Sequence, residues 1–274
     1  MQTRNRLSLA YLTVNDTPPV EHIEAAAAGG FDVAGLRIVA PSHLKIDYGI
    51  VGNRERIREI NRAKERTGVG VLDIEICTLD ADTDIDRFVP ALETSAELGA
   101  SFVQSVCEDL DRARAIDNFA RLCDAAAQFG LRIALEFMRF RRVQTVEAAS
   151  ELVRTAGRAN GGVLIDAMHL ARSGGDPGAV AALPREQIAY MQLCDARGKA
   201  PPLEELAQES RNDRLLPGEG DLWLDALFDA LPDDIPISVE VPRSVDRGRS
   251  ARERAVIAGD AARRYLARYR ARET

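Results

Sequence analysis

The sequence predicts an α/β barrel in which eight parallel strands are each followed by helical sequence. Short apolar runs alternate with segments of 3.6-residue apolar spacing, and the alternation repeats about every 30 residues, as in (β/α)8 TIM barrels. The 274 residues suit one such domain, so we expect a single barrel over residues 1–274. The alternative is a doubly wound open sheet, which places a glycine-rich phosphate turn after its first strand. Here that strand leads into Tyr11–Asn15, which contains no glycine.

The strand candidates are short, rich in aliphatic and β-branched residues, and separated by amphipathic stretches. Glycines such as Gly99 and Gly130 end the intervening helices just before the next strand. A C-terminal helix is predicted from Ser250 to Ala271, and the longest irregular stretch is 196–220. In chain order the predicted strands are Leu7–Leu12, Gly35–Val39, Gly70–Ile76, Ser101–Cys107, Arg132–Phe137, Gly162–Ala167, Ile188–Cys194 and Ile237–Val241.

Composition narrows the function classes. Hydrophobic residues make up 46% and charged residues 29%, which is typical of a globular chain. The net charge of -7 argues against a nucleic-acid partner, and no apolar window approaches the roughly 18 residues of a membrane span. The four cysteines form no CxxC pair, which favours reduced thiols and a cytoplasmic location. With only three histidines, any metal site must be mostly oxygen-liganded.

Strand periodicity predicts which polar side chains enter the barrel, because successive side chains point to opposite faces. We assign the large apolar positions to the outer face, against the helices. In the third strand this places Leu72, Ile74 and Ile76 outward and Asp73, Glu75 and Cys77 inward. Across six strands the inward polar residues are then Arg37, Glu75, Glu136, Asp166, Gln192 and Glu240.

Four of these inward residues predict a metal site. Glu136, Asp166, Gln192 and Glu240 lie near the C-terminal ends of the last four strands and bring three carboxylates into one small volume. Buried carboxylates must be paired, hydrogen-bonded or metal-bound, and these strands carry no obvious cation. We therefore expect one divalent ion per chain. All-oxygen ligands favour Mn²⁺ or Mg²⁺, while Zn²⁺ or Co²⁺ stays open. For any single residue an internal salt bridge is the alternative.

Several stretches resemble the xylose-isomerase-like sugar phosphate isomerase/epimerase superfamily of TIM barrels. The resemblance lies in ALEF, VLIDAMH, IAYMQLCDA, LLPGEGDLWL and ISVEV. It implies that Glu136, Asp166, Gln192 and Glu240 bind one divalent metal. Gln192 stands where many epimerases have His, and this form is similar to the inosose-processing and 3-dehydroshikimate dehydratase branches. The dehydratase branch carries a His in a WGRH-like segment after the strand-five Glu, whereas this chain reads FMRFRR there.

The resemblance also implies roles for individual residues. Glu136 and Glu240 would act as bases on opposite sides of the substrate. His169 of the DxxH motif would contact substrate and is a candidate acid or base, and Arg214, upstream of PGxG, would bind substrate.

The residues themselves suggest further substrate contacts. Glu75 fits either a substrate hydroxyl contact or a hydrogen-bonded core carboxylate. Arg37 and Arg139, with the nearby Arg141 and Arg142, could clamp a carboxylate or phosphate, while a solvated charge run is the alternative for the latter three.

These features lead first to a metal-dependent isomerase or epimerase that acts through an enediolate on a sugar, sugar acid or cyclic polyol ketone. The second hypothesis is a dehydratase on a cyclic keto-polyol or keto-acid such as an inosose or 3-dehydroshikimate. An apurinic-site endonuclease would need more histidines and a basic face, and a non-catalytic barrel that binds a sugar-like regulator is the fourth hypothesis. The expected partner is a small sugar-like molecule, anionic if the arginines reach the pocket. A homo-oligomer remains open.

Overall fold

The structure is a computed structural model that describes residues 6–39 and 48–272. Eight parallel strands form a closed barrel in sequential order, which confirms the predicted (β/α)8 fold. Each strand pairs with the next along the chain, and the last pairs with the first. The strands are β1 (Leu7–Leu9), β2 (Val33–Arg37), β3 (Gly70–Leu79), β4 (Phe102–Cys107), β5 (Arg132–Glu136), β6 (Gly161–Asp166), β7 (Ile188–Leu193) and β8 (Ile237–Val239).

Helices connect the strands around the outside of the barrel. Asn53, Asp111 and Thr145 cap helix starts with their side chains, and Ser250 forms a capping box with Glu253. In the described part of the chain, no helix has the length and apolar character needed to cross a membrane. The helices are α1 (Pro19–Ala28), α2 (Arg54–Thr67), α3 (Val89–Glu97), α4 (Arg112–Ala127), α5 (Val146–Ala156), α6 (Ala167–Arg172), α7 (Pro177–Ala181), α8 (Leu206–Asn212), α9 (Leu224–Ala230) and α10 (Ala251–Arg270).

The apolar core divides into layers that follow strand alternation. The larger layer lies between barrel and helices and includes Ile133, Leu135, Ile165 and Val239. The barrel interior holds a smaller cluster, made of Val33, Leu72, Phe102, Ala134, Leu164, Ala189 and Tyr190. This inner plug closes the N-terminal side of the barrel, so the polar site lies above it at the C-terminal strand ends.

Six of the eight predicted strands end one to three residues earlier than the sequence suggested, and two of these differences, in β1 and β8, shape the mouth of the barrel. β1 stops at Leu9, because a 3-10 helix over Tyr11–Val14 takes the chain away from the sheet. β8 stops at Val239, so Glu240 lies directly after the strand rather than within it. Glu240 is nevertheless buried, at the mouth of the barrel.

The predicted alternation of β3 is wrong at three positions. Ile74 faces the outer core as expected, but Leu72 belongs to the inner plug and Cys77 to the outer core. Ile76 packs in a separate cluster beside the candidate site. The cause is irregular pairing: the register of β3 shifts against both β2 and β4. A bulge changes the face to which every later side chain points.

Candidate active site and metal centre

A cavity of about 510 Å³ opens at the C-terminal ends of the strands. This size and position are typical of the substrate site of a TIM barrel. Most predicted site residues border it. They are Arg37, Glu75, Glu136, His169, Arg214 and Glu240.

Glu136, at the end of β5, is 2% exposed and makes two contacts. Its Oε2 accepts a hydrogen bond of 2.5 Å from Nε2 of Gln104 on β4. Its Oε1 lies 3.7 Å from Nε2 of His169 in α6. Sequence reasoning missed Gln104, although a polar residue within the apolar run FVQSVC was an available signal.

Arg214 joins two of the predicted metal ligands. Its Nη1 lies 2.5 Å from Oδ2 of Asp166, and its Nη2 lies 2.7 Å from Oε2 of Glu240. Its Nε donates to the carbonyl oxygen of Ser210. The guanidinium is therefore held by protein groups on three sides, and the substrate-binding role of Arg214 stays a prediction.

Gln192 has one engaged and one free amide atom. Its Nε2 donates a hydrogen bond of 2.8 Å to Oε1 of Glu240. Its Oε1 is buried and has no hydrogen-bond donor among the described residues. Asp166 lies directly opposite Gln192 in the β6–β7 pairing. An amide oxygen left without a donor beside two carboxylates is suited to a cation.

The pKa values reflect burial and crowded negative charge. Burial, followed by repulsion from Glu240 and Asp166, raises the pKa of Glu136 well above its usual range. Burial raises the pKa of Glu240 to about 8, against the lowering influence of Arg214. For Asp166 burial acts upward, but Arg214 and His169 outweigh it and the pKa is lowered. Burial lowers the pKa of His169 to about 4, so its imidazole is neutral at pH 7.

The four predicted ligands are not the only grouping that can hold a metal ion. Glu136, Asp166 and His169 each offer a ligand atom, and these atoms lie within 4.8 Å of one another. His169 was predicted as a substrate contact or acid–base group rather than as a ligand. Both groupings share Glu136 and Asp166 and are completely buried.

On the opposite side of the cavity, one arginine and one glutamate form a buried ion pair. Arg37 and Glu75 are partners in the β2–β3 register, and Nη2 of Arg37 lies 2.6 Å from Oε2 of Glu75. The guanidinium of Arg37 also stacks over Tyr11, 4.3 Å from the ring centre. Glu75 Oε1 has no donor among the described residues and remains available to a substrate hydroxyl.

The arginines after β5 do not all reach the cavity. Arg139 is exposed, donates to Gln144 and is absent from the cavity lining, which matches the solvated alternative, so its contact with substrate stays a prediction. Arg142 is exposed as well. Arg141 lines the cavity and pairs with Glu108. One arginine of the segment thus faces the cavity, because the turn after β5 directs Arg139 and Arg142 to solvent.

Asp195, just after β7, organises the loop that carries Arg214. Its carboxylate accepts backbone hydrogen bonds from Gly218, Gly220 and Leu222. A Cβ at Gly220 would lie 2.4 Å from the carbonyl oxygen of Ala196, so only glycine fits there. The PGEG sequence is therefore a loop shaped around a buried carboxylate.

Of the remaining histidines, His22 is buried in α1 and its Nε2 contacts the carbonyl oxygen of Leu9. A buried histidine that contacts a backbone carbonyl is suited to a structural role. His43 lies outside the described residues. The four cysteines are free and buried.

With this geometry established, comparison with known proteins identifies the family. A family model described as the xylose isomerase-like TIM barrel matches residues 23–264. The chain belongs to this family.

The chain is 32% identical over 227 residues to a 3-dehydroshikimate dehydratase of Pseudomonas aeruginosa, a match that covers 78% of this chain and 34% of that protein. It is 29% identical over 157 residues to an inosose isomerase of Bacillus subtilis, covering 54% of this chain and 55% of that protein. The chain thus spans about a third of the length of the dehydratase it matches.

Among solved structures, an IolI protein with a bound zinc atom superposes with a TM-score of 0.80 and 22% identity, covering 96% of this chain and 99% of that one. This likeness shows the shared fold.

Proposed function

We propose that the chain is a divalent-metal-dependent enzyme that removes a proton from a carbon next to a ketone in a hydroxylated substrate. The observation that supports this proposal is the excess of carboxyl groups over guanidinium groups at the C-terminal ends of β5 to β8. Three buried carboxylates, Glu136, Asp166 and Glu240, face one arginine, and the amide oxygen of Gln192 has no donor. The residues present fit a divalent cation, since the carboxylates outnumber the guanidinium by two.

The ligand set decides which metal is favoured. Glu136, Asp166, Gln192 and Glu240 are oxygen donors and favour Mn²⁺ or Mg²⁺, whereas participation of His169 would favour Zn²⁺ or Co²⁺. When bound, such a cation polarises the ketone and the neighbouring hydroxyl and stabilises the negative charge that develops on deprotonation.

The chain's own residues supply proton transfer. Oε1 of Glu136 and neutral His169 lie side by side and can accept the proton from carbon. In a dehydration, the C–H and the β C–O bonds break, a C=C bond forms, and the proton returns to the departing hydroxyl, which leaves as water. In an isomerisation, the proton returns to the neighbouring carbon instead.

Dehydration of a cyclic keto-acid is the outcome we place first. The similarity to the Pseudomonas aeruginosa dehydratase supports it over 78% of this chain. The cavity also has Arg141 and Arg211 in its lining, which suits a substrate carboxylate. This reverses the order suggested by sequence reasoning, which placed isomerisation first.

Isomerisation or epimerisation is the second candidate. Glu136 and Glu240 follow different strands of the barrel and provide two carboxylates around one cavity. The similarity to the Bacillus subtilis inosose isomerase also supports it. Cytoplasmic location remains part of this proposal.

Reconstitution in deuterated water tests both outcomes. The metal-free chain and the chain loaded with Mn²⁺ would be incubated with 3-dehydroshikimate and with inososes. A metal-dependent product lighter by one water supports dehydration. Deuterium incorporation without loss of water supports isomerisation. Neither change with any of Mn²⁺, Mg²⁺, Zn²⁺ or Co²⁺ would contradict the proposal. Glu240→Gln should abolish either signal, and the exposed Arg252→Gln should not alter it.

A further inference from the structure

A second cavity of about 410 Å³ adjoins the catalytic one. Leu12, Asn15 and Arg211 are among the residues that line both, so the two cavities are contiguous. The second cavity has four arginines in its wall, and we call it the arginine lobe. These arginines are Arg211, Arg243, Arg247 and Arg254.

We infer that the arginine lobe binds a phosphate-type oxyanion. The only carboxylate among the described residues that line it is Asp16, against four arginines, and Asp246 and Glu219 lie beside Arg243. Its volume lies within the range of roughly 300–1,000 Å³ typical of small-molecule sites. The catalytic cavity has the opposite character, with a surplus of buried carboxylates.

The hydrogen bonds of these arginines leave donors free for an anion. Arg254 donates to Oδ1 and to the carbonyl oxygen of Asn15, both at 3.2 Å, while its buried Nε has no acceptor in the described part of the chain. Arg247 donates to Oδ1 of Asn212 at 2.9 Å. Both arginines therefore donate these hydrogen bonds to uncharged groups.

Arg243 is the member with carboxylate neighbours. Its Nε lies 3.2 Å from Oδ2 of Asp246, and its Nη1 lies 3.8 Å from Oε2 of Glu219. The second distance is too long for a hydrogen bond, and Nη1 is buried without an acceptor among residues 6–39 and 48–272. Arg243 and Arg254 thus each carry a buried N–H group that has no acceptor among the described residues.

The arginines come from three separate parts of the fold. Arg211 ends α8, Arg243 and Arg247 follow β8, and Arg254 lies in the first turns of α10. Guanidinium groups from different elements can surround a tetrahedral anion in ways that one helix cannot. Arginine suits this role because its planar fork donates two parallel hydrogen bonds to phosphate oxygens.

Calorimetric titration of inorganic phosphate into the metal-free chain at low salt tests the inference without any catalytic assay. Removal of the metal prevents phosphate from binding through it. We expect saturable binding to the wild type, weakened about tenfold or more by Arg254→Gln and by Arg243→Gln. Arg252→Gln, an exposed position on the same helix as Arg254, should bind like the wild type, and so should Arg141→Gln in the catalytic cavity.

Absence of saturable binding to a folded wild type would overturn the inference. Equal phosphate affinity in Arg243→Gln, Arg254→Gln and wild type would also overturn it. If a variant is destabilised, phosphate-induced stabilisation of the folded fraction replaces the calorimetric readout.

Inhibition kinetics then distinguish the source of the anion. Competition between inorganic phosphate and substrate supports a site for an anionic group of the substrate. Inhibition or activation without competition supports a site for a separate phosphate-bearing molecule. Either result is compatible with the lobe; these kinetics rest on the reaction proposed above, whereas the calorimetric titration does not.

Discussion

Two groups of charged residues lie on different sides of the barrel. On one side, Arg37 of β2 pairs with Glu75 of β3. On the other side, at the ends of β5, β6 and β8, the carboxyl groups of Glu136, Asp166 and Glu240 lie around the single Arg214. Both groups are buried at the same end of one barrel. In the first, one carboxylate meets one guanidinium. In the second, three carboxyl groups share one guanidinium, so two of them have no positively charged partner within the protein. A cation therefore belongs on the β5–β8 side.

Asp73 does not change this comparison. It is buried near the β2–β3 side, and burial followed by repulsion from Glu75 raises its pKa well above the usual range, which favours its neutral form. Asp73 is a single carboxyl beside a complete ion pair, whereas three carboxyl groups share Arg214 on the other side. The charged residues of this side are thus suited to shaping the cavity rather than to holding a metal.

The largest expected difference between the two sides is in catalysis. Glu240→Gln should reduce kcat by about 10³-fold, because it removes a candidate base and metal ligand. Glu75→Gln should retain Mn²⁺ affinity, since Glu75 is already paired with Arg37. Steady-state kinetics with Mn²⁺ measure the loss of kcat, and calorimetric Mn²⁺ titration of the two variants measures metal affinity. Equal loss of Mn²⁺ affinity in both would show that the metal does not belong to one side.

Removal of the two arginines should separate their roles. Arg214→Met and Arg37→Met each leave buried carboxylates unpaired, so each should lower the free energy of unfolding of the metal-free chain by about 3–5 kcal/mol. Mn²⁺ should restore stability in Arg214→Met, since a cation can replace the lost charge beside Asp166 and Glu240. Urea unfolding with and without Mn²⁺ tests this. Comparable restoration of Arg37→Met would contradict it.

The same two sides show where sequence reasoning succeeds. β5, β6 and β7 keep regular alternation through their polar residues, so Glu136, Asp166 and Gln192 were correctly predicted to point inward. β3 contains register shifts, and strict alternation gave the wrong face for Leu72 and Cys77. A bulge depends on pairing with neighbouring strands, which a single strand's pattern does not reveal.

Other features of the site depend on loop conformation, which the periodicity of apolar residues does not predict. The sequence motif singled out Arg214, but its insertion between Asp166 and Glu240 depends on the loop ordered by Asp195. The preference for Arg141 over Arg139 depends on the turn after β5. The arginine lobe joins residues more than 200 positions apart, Asn15 and Arg254, and no local pattern indicates it.

The pH dependence of stability should distinguish the sides in a second way. Glu240 has a pKa of about 8 in the native state. At pH values between its ordinary pKa and 8, the native state therefore holds a proton that the unfolded chain has released. Through this proton, the free energy of unfolding of the metal-free chain should fall as pH rises from about 4.5 to 8, by at most about 1.4 kcal/mol per pH unit, and level off above pH 8. His22 and His169, with pKa values of about 4, act in the opposite direction between about pH 4 and 6.5, because the unfolded chain binds protons there that the native histidines do not.

Glu240→Gln should flatten the fall above pH 6.5, and saturating Mn²⁺ should flatten it too, since metal binding requires the deprotonated carboxylate. Glu75→Gln is the matched control. Unfolding curves that depend on pH equally in wild type and Glu240→Gln would assign the titration to another group.

The smallest expected effect concerns metal selectivity. Gln192→His replaces a free amide oxygen with an imidazole nitrogen at a position between Asp166 and Glu240. Imidazole suits Zn²⁺ better than an amide oxygen does, so the ratio of Zn²⁺ to Mn²⁺ affinity should rise by about tenfold. Gln192→Glu keeps an oxygen donor and should strengthen binding of both ions while the ratio changes less. Competition titrations with a chromophoric chelator measure both ratios. If Gln192→His leaves the ratio at its wild-type value, the side chain at 192 does not coordinate the ion, and the grouping of Glu136, Asp166 and His169 becomes the better description of the centre.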